Sequence, residues 1–148
     1  MSKIYIHYGS DRFRLKQFRP IINMAHRNKP DGGLWASAVD AEYGWKQWNE
    51  DTNHVECRDE YAFRFTLADD ANVYSINSVD DVRMMPRQGD FMHLDGDRVI
   101  PDFYGMKSAG VDVIEFNLSN DWHLYDALYG WDCDCILVMN PYVVQEIK

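Results

Sequence analysis

The stretch Asp31–Trp48, DGGLWASAVDAEYGWKQW, restricts the fold of this chain more tightly than any other. It is introduced by a breaker, Lys29-Pro30-Asp31-Gly32-Gly33, which predicts a tight turn delivering the chain into a strand. Leu34, Trp35, Ala36 and Ser37 read as that short apolar strand. From Val39 to Trp48 the period changes. Ala41, Trp45 and Trp48 fall at i, i+4 and i+7, which is helical spacing, with Asp40 placed to cap the N-terminus. Trp35, Trp45 and Trp48 are three of the chain's 5 tryptophans, and Tyr43 lies among them. A core can use such a set. So can a flat heterocycle held by stacking, since two glycines permit close backbone approach and an aromatic wall follows.

At 148 residues the chain predicts a single domain, 1–148, long enough to bury a core without staples. A hydrophobic content of 46% excludes a disordered chain. The net charge of −9 repels phosphate backbones and disfavours general nucleic-acid binding outside a local basic patch. Arg12, Arg14, Lys16, Arg19, Arg27 and Lys29 supply one candidate patch. Cys57, Cys133 and Cys135 are an odd set with no disulfide framework, and there is neither a signal peptide nor an apolar run that spans a membrane. The chain reads as soluble and cytoplasmic.

Ile4, Ile6 and Tyr8 share one face of a first strand, Lys3–Ser10, with Tyr5 and His7 on the other. Phe13–Met24 carries a weak helical pattern broken by Pro20. Tyr61–Leu67 alternates well, Asn72–Ile76 is a further strand, and the acidic turn Asp69-Asp70 suggests that the two pair as a hairpin or lie close together. Ser78 is placed to cap a helical turn, Gln88–Arg98 reads as a loop, and Pro101–Ala109 as a helix stopped by Gly110. Val111–Phe116, one or two helical turns over Trp122–Leu128, and a last clear strand, Asp132–Met139, complete the chain. Strands outnumber helices without βαβ alternation. The expected class is α+β with a mixed, mostly antiparallel sheet and short flanking helices.

In an extended Asp132–Met139, Asp132 and Asp134 point to one face, and Cys133 and Cys135 to the packed other. Either the aspartates sit in water at the sheet rim, or something cationic or hydrogen-bonding meets them. A C-x-C metal site lacks supporting spacing, since Cys57, His54, His93 and His123 are scattered, and no metal is expected. G-x-S-x-G, Walker, G-x-G-x-x-G and H-E-x-x-H motifs are all absent.

His7-Tyr8-Gly9-Ser10 closing a strand, Gly33–Ser37 leading to Tyr43, and Asp134 opening a late apolar strand occur in an order that resembles the ADP-ribosyltransferase superfamily, in its diphtheria-toxin-like branch. The resemblance implies a two-sheet α+β core. It also implies cleavage of the nicotinamide–ribose bond of NAD through an oxocarbenium-like transition state, stabilised by a fixed carboxylate. Asp134 would be that carboxylate, Asp where the family most often has Glu, with Glu115 the fallback, and Asp132 would orient the acceptor. His7 would bond the adenosine-side ribose, and the backbone of Tyr8 or Gly9 the nicotinamide amide. Trp35 and Tyr43 would flank the nicotinamide ring, with Ser37 near it. The implied partners are NAD, as substrate, and a macromolecular acceptor, protein rather than nucleic acid, with no membrane. Different in class is a non-enzymatic acidic interaction module, a phage-type inhibitor or nucleic-acid mimic; an inactive nucleotide-binding relative is a further alternative.

Overall fold

Runs of alternating large apolar residues become the strands. The computed structural model describes residues 2–24, 27–54, 56–88, 100–128 and 130–147. Its strands are β1 (Tyr5–Tyr8), β2 (Leu34–Ala38), β3 (Ala62–Leu67), β4 (Val73–Ile76), β5 (Val113–Phe116), β6 (Cys135–Val138) and β7 (Val144–Ile147). They form one 7-stranded sheet in the order β4-β5-β6-β2-β1-β3-β7, antiparallel throughout except for β4 with β5. With four short helices among the described residues, this is the expected α+β class. The two expected sheets are instead two wings of a continuous one. β2 joins them, pairing Leu34–Ala36 with β6 and Ser37–Ala38 with β1.

The helices are α1 (Trp45–Thr52), α2 (Val79–Arg83), α3 (Phe103–Ser108) and α4 (Leu124–Ala127). Ser78 and Asp102 cap α2 and α3 by accepting the N–H groups of Asp81 and Gly105. Val82, Phe103, Met106 and Leu124 pack with Ile114, Phe116 and Leu137 into one core. A second core joins Tyr5, Ala36, Phe63, Phe65, Ile136 and Val138. No described helix is long and apolar enough to cross a membrane.

Three local expectations fail for physical reasons. Phe13–Met24 makes only a 3-10 turn at Leu15–Gln17, because its later backbone is used elsewhere: Arg19 O accepts from Gly33 N at 2.8 Å, and Ile22 pairs with Asp31. Gly32 has φ +82°, and a Cβ there would sit 2.1 Å from the Pro20 carbonyl oxygen. The glycines therefore serve packing within the chain. β3 and β4 form no hairpin, since β3 lies between β1 and β7 while β4 is the opposite edge. The helix expected from Val39 begins only at Trp45, with Gly44 as N-cap instead of Asp40. All of the expected loop Gln88–Arg98 but Gln88 lies outside the described residues, as does His93.

Candidate functional site

The β1–β2 ladder stops at Ile6 and Ser37. Past that point a side chain replaces the backbone bond, with His7 Nδ1 2.6 Å from the Trp35 carbonyl oxygen. A carbonyl only accepts, so Nδ1 carries the hydrogen and Nε2 presents a lone pair. β1 stays paired to β3 on its other side, and Gly9 N donates to Tyr61 O at 2.7 Å. Beside this opening lies a cavity of about 430 Å³. His7, Tyr8, Gly9 and Trp35, expected from the sequence to hold a ligand, line it together. Trp45 and Asn49 of α1, and Glu56, Cys57, Arg58 and Tyr61 of the following segment, complete it.

Burial holds the His7 imidazole below its ordinary value of 6.5, against the bond to Trp35, which raises it. The ring is therefore neutral near pH 7. As pH falls, the unfolded chain takes up this proton before the folded one does, so the stability contributed by His7 is full above about 6.5 and is lost below it. The melting temperature of the wild type should fall between about pH 7 and pH 5 more steeply than that of His7→Gln, which has no such proton. Equal slopes in thermal melts would contradict a buried neutral His7.

Trp35 and Trp45 meet edge to face at 6.3 Å, and Trp131 abuts Trp35 at 4.8 Å. The Lys29 ammonium lies 5.1 Å from the Trp35 ring centre and 4.9 Å from that of Trp45, a cation–π pair that joins the two rings. Asp132 Oδ2 is 4.0 Å from Lys29 Nζ. Burial pushes the Asp132 carboxyl above its usual range, with Lys29 and His54 opposing. Trp45 Nε1 is buried with no hydrogen-bond partner among the described residues. Lys29→Met should weaken the wall by about 0.5–2 kcal/mol and shift tryptophan emission, whereas Lys29→Arg keeps the cation and should change both less. Denaturation followed by fluorescence reads both effects.

Ser37, Tyr43 and Asp134 also come together, but in a different place. Ser37 Oγ donates to Asp134 O at 2.8 Å and accepts from Trp45 N at 3.0 Å, which seats the start of α1 on β2. The Asp134 carboxylate accepts from Tyr43 N at 3.2 Å, from Ser119 N at 2.8 Å and from the Ser119 hydroxyl. The Tyr43 phenol is pushed up to about 12 by burial and by the Asp51 carboxylate, and its ring meets Trp122 at 6.0 Å. None of these three lines the His7 cavity, so the expected convergence of His7, Tyr43 and Asp134 does not occur. The parity expected of Asp132 and Asp134 also fails, because β6 starts only at Cys135 and both aspartates precede it.

Asp134 lines a separate cavity of about 280 Å³ with Glu115 and Tyr5. Burial raises the Glu115 carboxyl, but Lys3, Asn117 and Tyr5 outweigh it and hold it below its usual range. Cys133 and Cys135 are buried and free, as expected. Among the described residues no group of three or more His, Cys, Asp or Glu is placed to hold a metal.

Asn49, Glu56, Cys57 and Arg58 belong to a polar, charged stretch that carries no motif, yet they line the cavity. One signal was available: Asn49 lies one turn after Trp45 on the same helix face. Its side-chain amide donates to Trp45 O at 2.8 Å and to Cys57 Sγ at 3.5 Å, which draws the segment inward. No family model, curated protein or solved structure matches the chain.

Proposed function

We propose that the cavity beside His7 binds NAD and that the protein is ADP-ribosyltransferase-like, passing ADP-ribose to a macromolecular acceptor with release of nicotinamide. The observation that carries this reading is the His7–Trp35 bond, which fixes Nε2 as a neutral acceptor beside an aromatic wall. Such a nitrogen accepts from a ribose hydroxyl, while tryptophan edges and faces suit a flat ring. A net charge of −9 favours a basic protein as acceptor over nucleic acid. Free Cys57, Cys133 and Cys135 suit the cytoplasm as place of action.

Cleavage requires a carboxylate that stabilises the oxocarbenium charge at the ribose. Glu56 lines the cavity, Asp132 stands behind its wall through Lys29, and Asp134 is held by Ser119 and Tyr43. The second reading is a nucleotide binder without turnover. It is favoured by the observation that neither Asp132 nor Asp134 lines the cavity.

Nicotinamide release from NAD, with and without a cell lysate as acceptor, decides between them. The enzyme reading expects release by the wild type and a loss on the order of 10²–10³ in rate for one of Glu56→Gln, Asp132→Asn or Asp134→Asn, with NAD affinity little changed. NAD binding without release selects the second reading.

A further inference from the structure

His7 borders two cavities. The second, of about 190 Å³, has a lining of a different charge from the first. Four larger cavities among the described residues each have at least one Asp or Glu in their lining. This one has none, and Arg12 and Arg14 line it together with Ser10 and Gln17. On a chain with 24 acidic residues against 15 basic ones, a recess lined by two guanidinium groups and no carboxylate, with Asp11 paired to only one of them, is a local excess of positive charge.

The local fold explains how it is built. Gly9, at φ +122°, turns the chain off the end of β1, and Ser10 Oγ donates to Arg12 O at 2.9 Å. The 3-10 turn Leu15–Gln17 then brings Gln17 back to the recess. Arg14 is fixed in place: Nη1 donates to Ser10 Oγ at 2.9 Å and Nη2 to Asp11 Oδ1 at 2.8 Å. The Arg12 guanidinium makes no hydrogen bond or ion pair with the described residues. Phe13 and Phe63 form an apolar side of the recess, where charge–charge contacts are less screened than on open surface. Asp11 pairs with Arg14, which leaves Arg12 as the guanidinium unmatched by a carboxylate among the described residues, and Glu146 accepts the Phe13 N–H.

We propose that this recess binds the phosphate groups of a nucleotide whose ring occupies the larger cavity. The proposal rests on the reading of the larger cavity as a nucleotide site and adds where the anionic end of the ligand goes. A guanidinium fork bonds two phosphate oxygens at once, and the Gln17 amide offers further donors. His7 stands between the two cavities as a neutral acceptor and so takes a sugar hydroxyl instead of a phosphate oxygen. Ring, sugar and phosphate then follow one another past a single histidine.

The test is calorimetric titration of the full chain with ADP, AMP, adenosine and inorganic pyrophosphate. ADP should bind on the order of tenfold tighter than adenosine, and pyrophosphate should compete with it. AMP matching ADP would assign the recess to a single phosphate, and AMP falling between ADP and adenosine to a diphosphate. Arg12→Gln removes an unpaired exposed group and should fold normally by circular dichroism. It should erase the ADP advantage and leave adenosine affinity unchanged. Equal binding of ADP and adenosine, an advantage that survives both Arg12→Gln and Arg14→Gln, or no binding of ADP and pyrophosphate would each overturn the proposal. Pyrophosphate that binds through Arg12 while NAD does not bind keeps the anion site and removes the NAD reading. NAD binding indifferent to Arg12→Gln does the reverse.

Discussion

Trp131→Ala is expected to lower the unfolding free energy by about 3–5 kcal/mol, a large fraction of the roughly 5–15 kcal/mol of an ordinary domain. Trp131 is fully buried, with ring contacts to Trp35 at 4.8 Å, Phe116 at 5.4 Å and Phe103 at 6.0 Å. Its indole N–H donates to Asn28 O at 2.7 Å, which anchors the residue preceding Lys29. Truncation opens a cavity in the larger core and also frees the segment that carries the cation between Trp35 and Trp45. Trp131→Phe keeps most of the packing but removes the hydrogen bond to the Asn28 carbonyl, at a cost of about 0.5–1.5 kcal/mol. Urea denaturation measures both. A loss below about 1 kcal/mol for Trp131→Ala would mean that the site wall does not depend on this core.

Asp134→Ala should cost about 3 kcal/mol, or roughly 6–12 °C in melting temperature for a chain of this size. Its carboxylate accepts from Tyr43 N, Ser119 N and the Ser119 hydroxyl, which tie the turn before α1 to the turn after β5. All three donors lose their partner together. Asp134→Asn keeps one oxygen and should lose about half as much. The structural and catalytic roles separate here. A structural carboxylate loses stability in proportion to its hydrogen bonds, whereas a catalytic one loses turnover in Asp134→Asn with binding retained. Thermal melts paired with nicotinamide release distinguish them, and an unchanged melting temperature in Asp134→Ala would contradict the tie seen here.

Local pattern was legible where neighbours in sequence are neighbours in space. Phe63 and Phe65 alternate with Arg64 and Thr66, and the strand forms where the alternation places it, because one face meets the second core. Ser78 and Gly110 marked their helix ends for reasons internal to each helix. Partners distant in the chain were not legible. The pairing of β3 with β7 brings Arg64 opposite Ile147, and Val144–Ile147 is an exposed edge whose short pattern gave little sign of a strand. The helix start moved from Asp40 to Gly44 because Tyr43 backbone groups bond Asp134, 91 residues away in the chain.

The site divided in the same way. His7, Tyr8, Gly9 and Trp35 were readable because the end of one strand and the start of the next enclose one cavity. Asp134 was read as part of it from its place before an apolar strand, yet which donors surround a carboxylate depends on Ser119, a residue with no sequence signal pointing to it. Arg12 and Arg14 were visible as a basic patch. That they line a recess bordered by His7 required the turn at Gly9.

The central claim is that the cavity beside His7 holds NAD, and calorimetric titration of NAD into the wild type and His7→Ala tests it most directly. The account predicts saturable binding by the wild type, weakened on the order of tenfold in His7→Ala through loss of the acceptor for a ribose hydroxyl, with quenching of tryptophan emission from the Trp35–Trp45 wall. No specific heat with NAD, or binding of equal strength in both proteins, would contradict it.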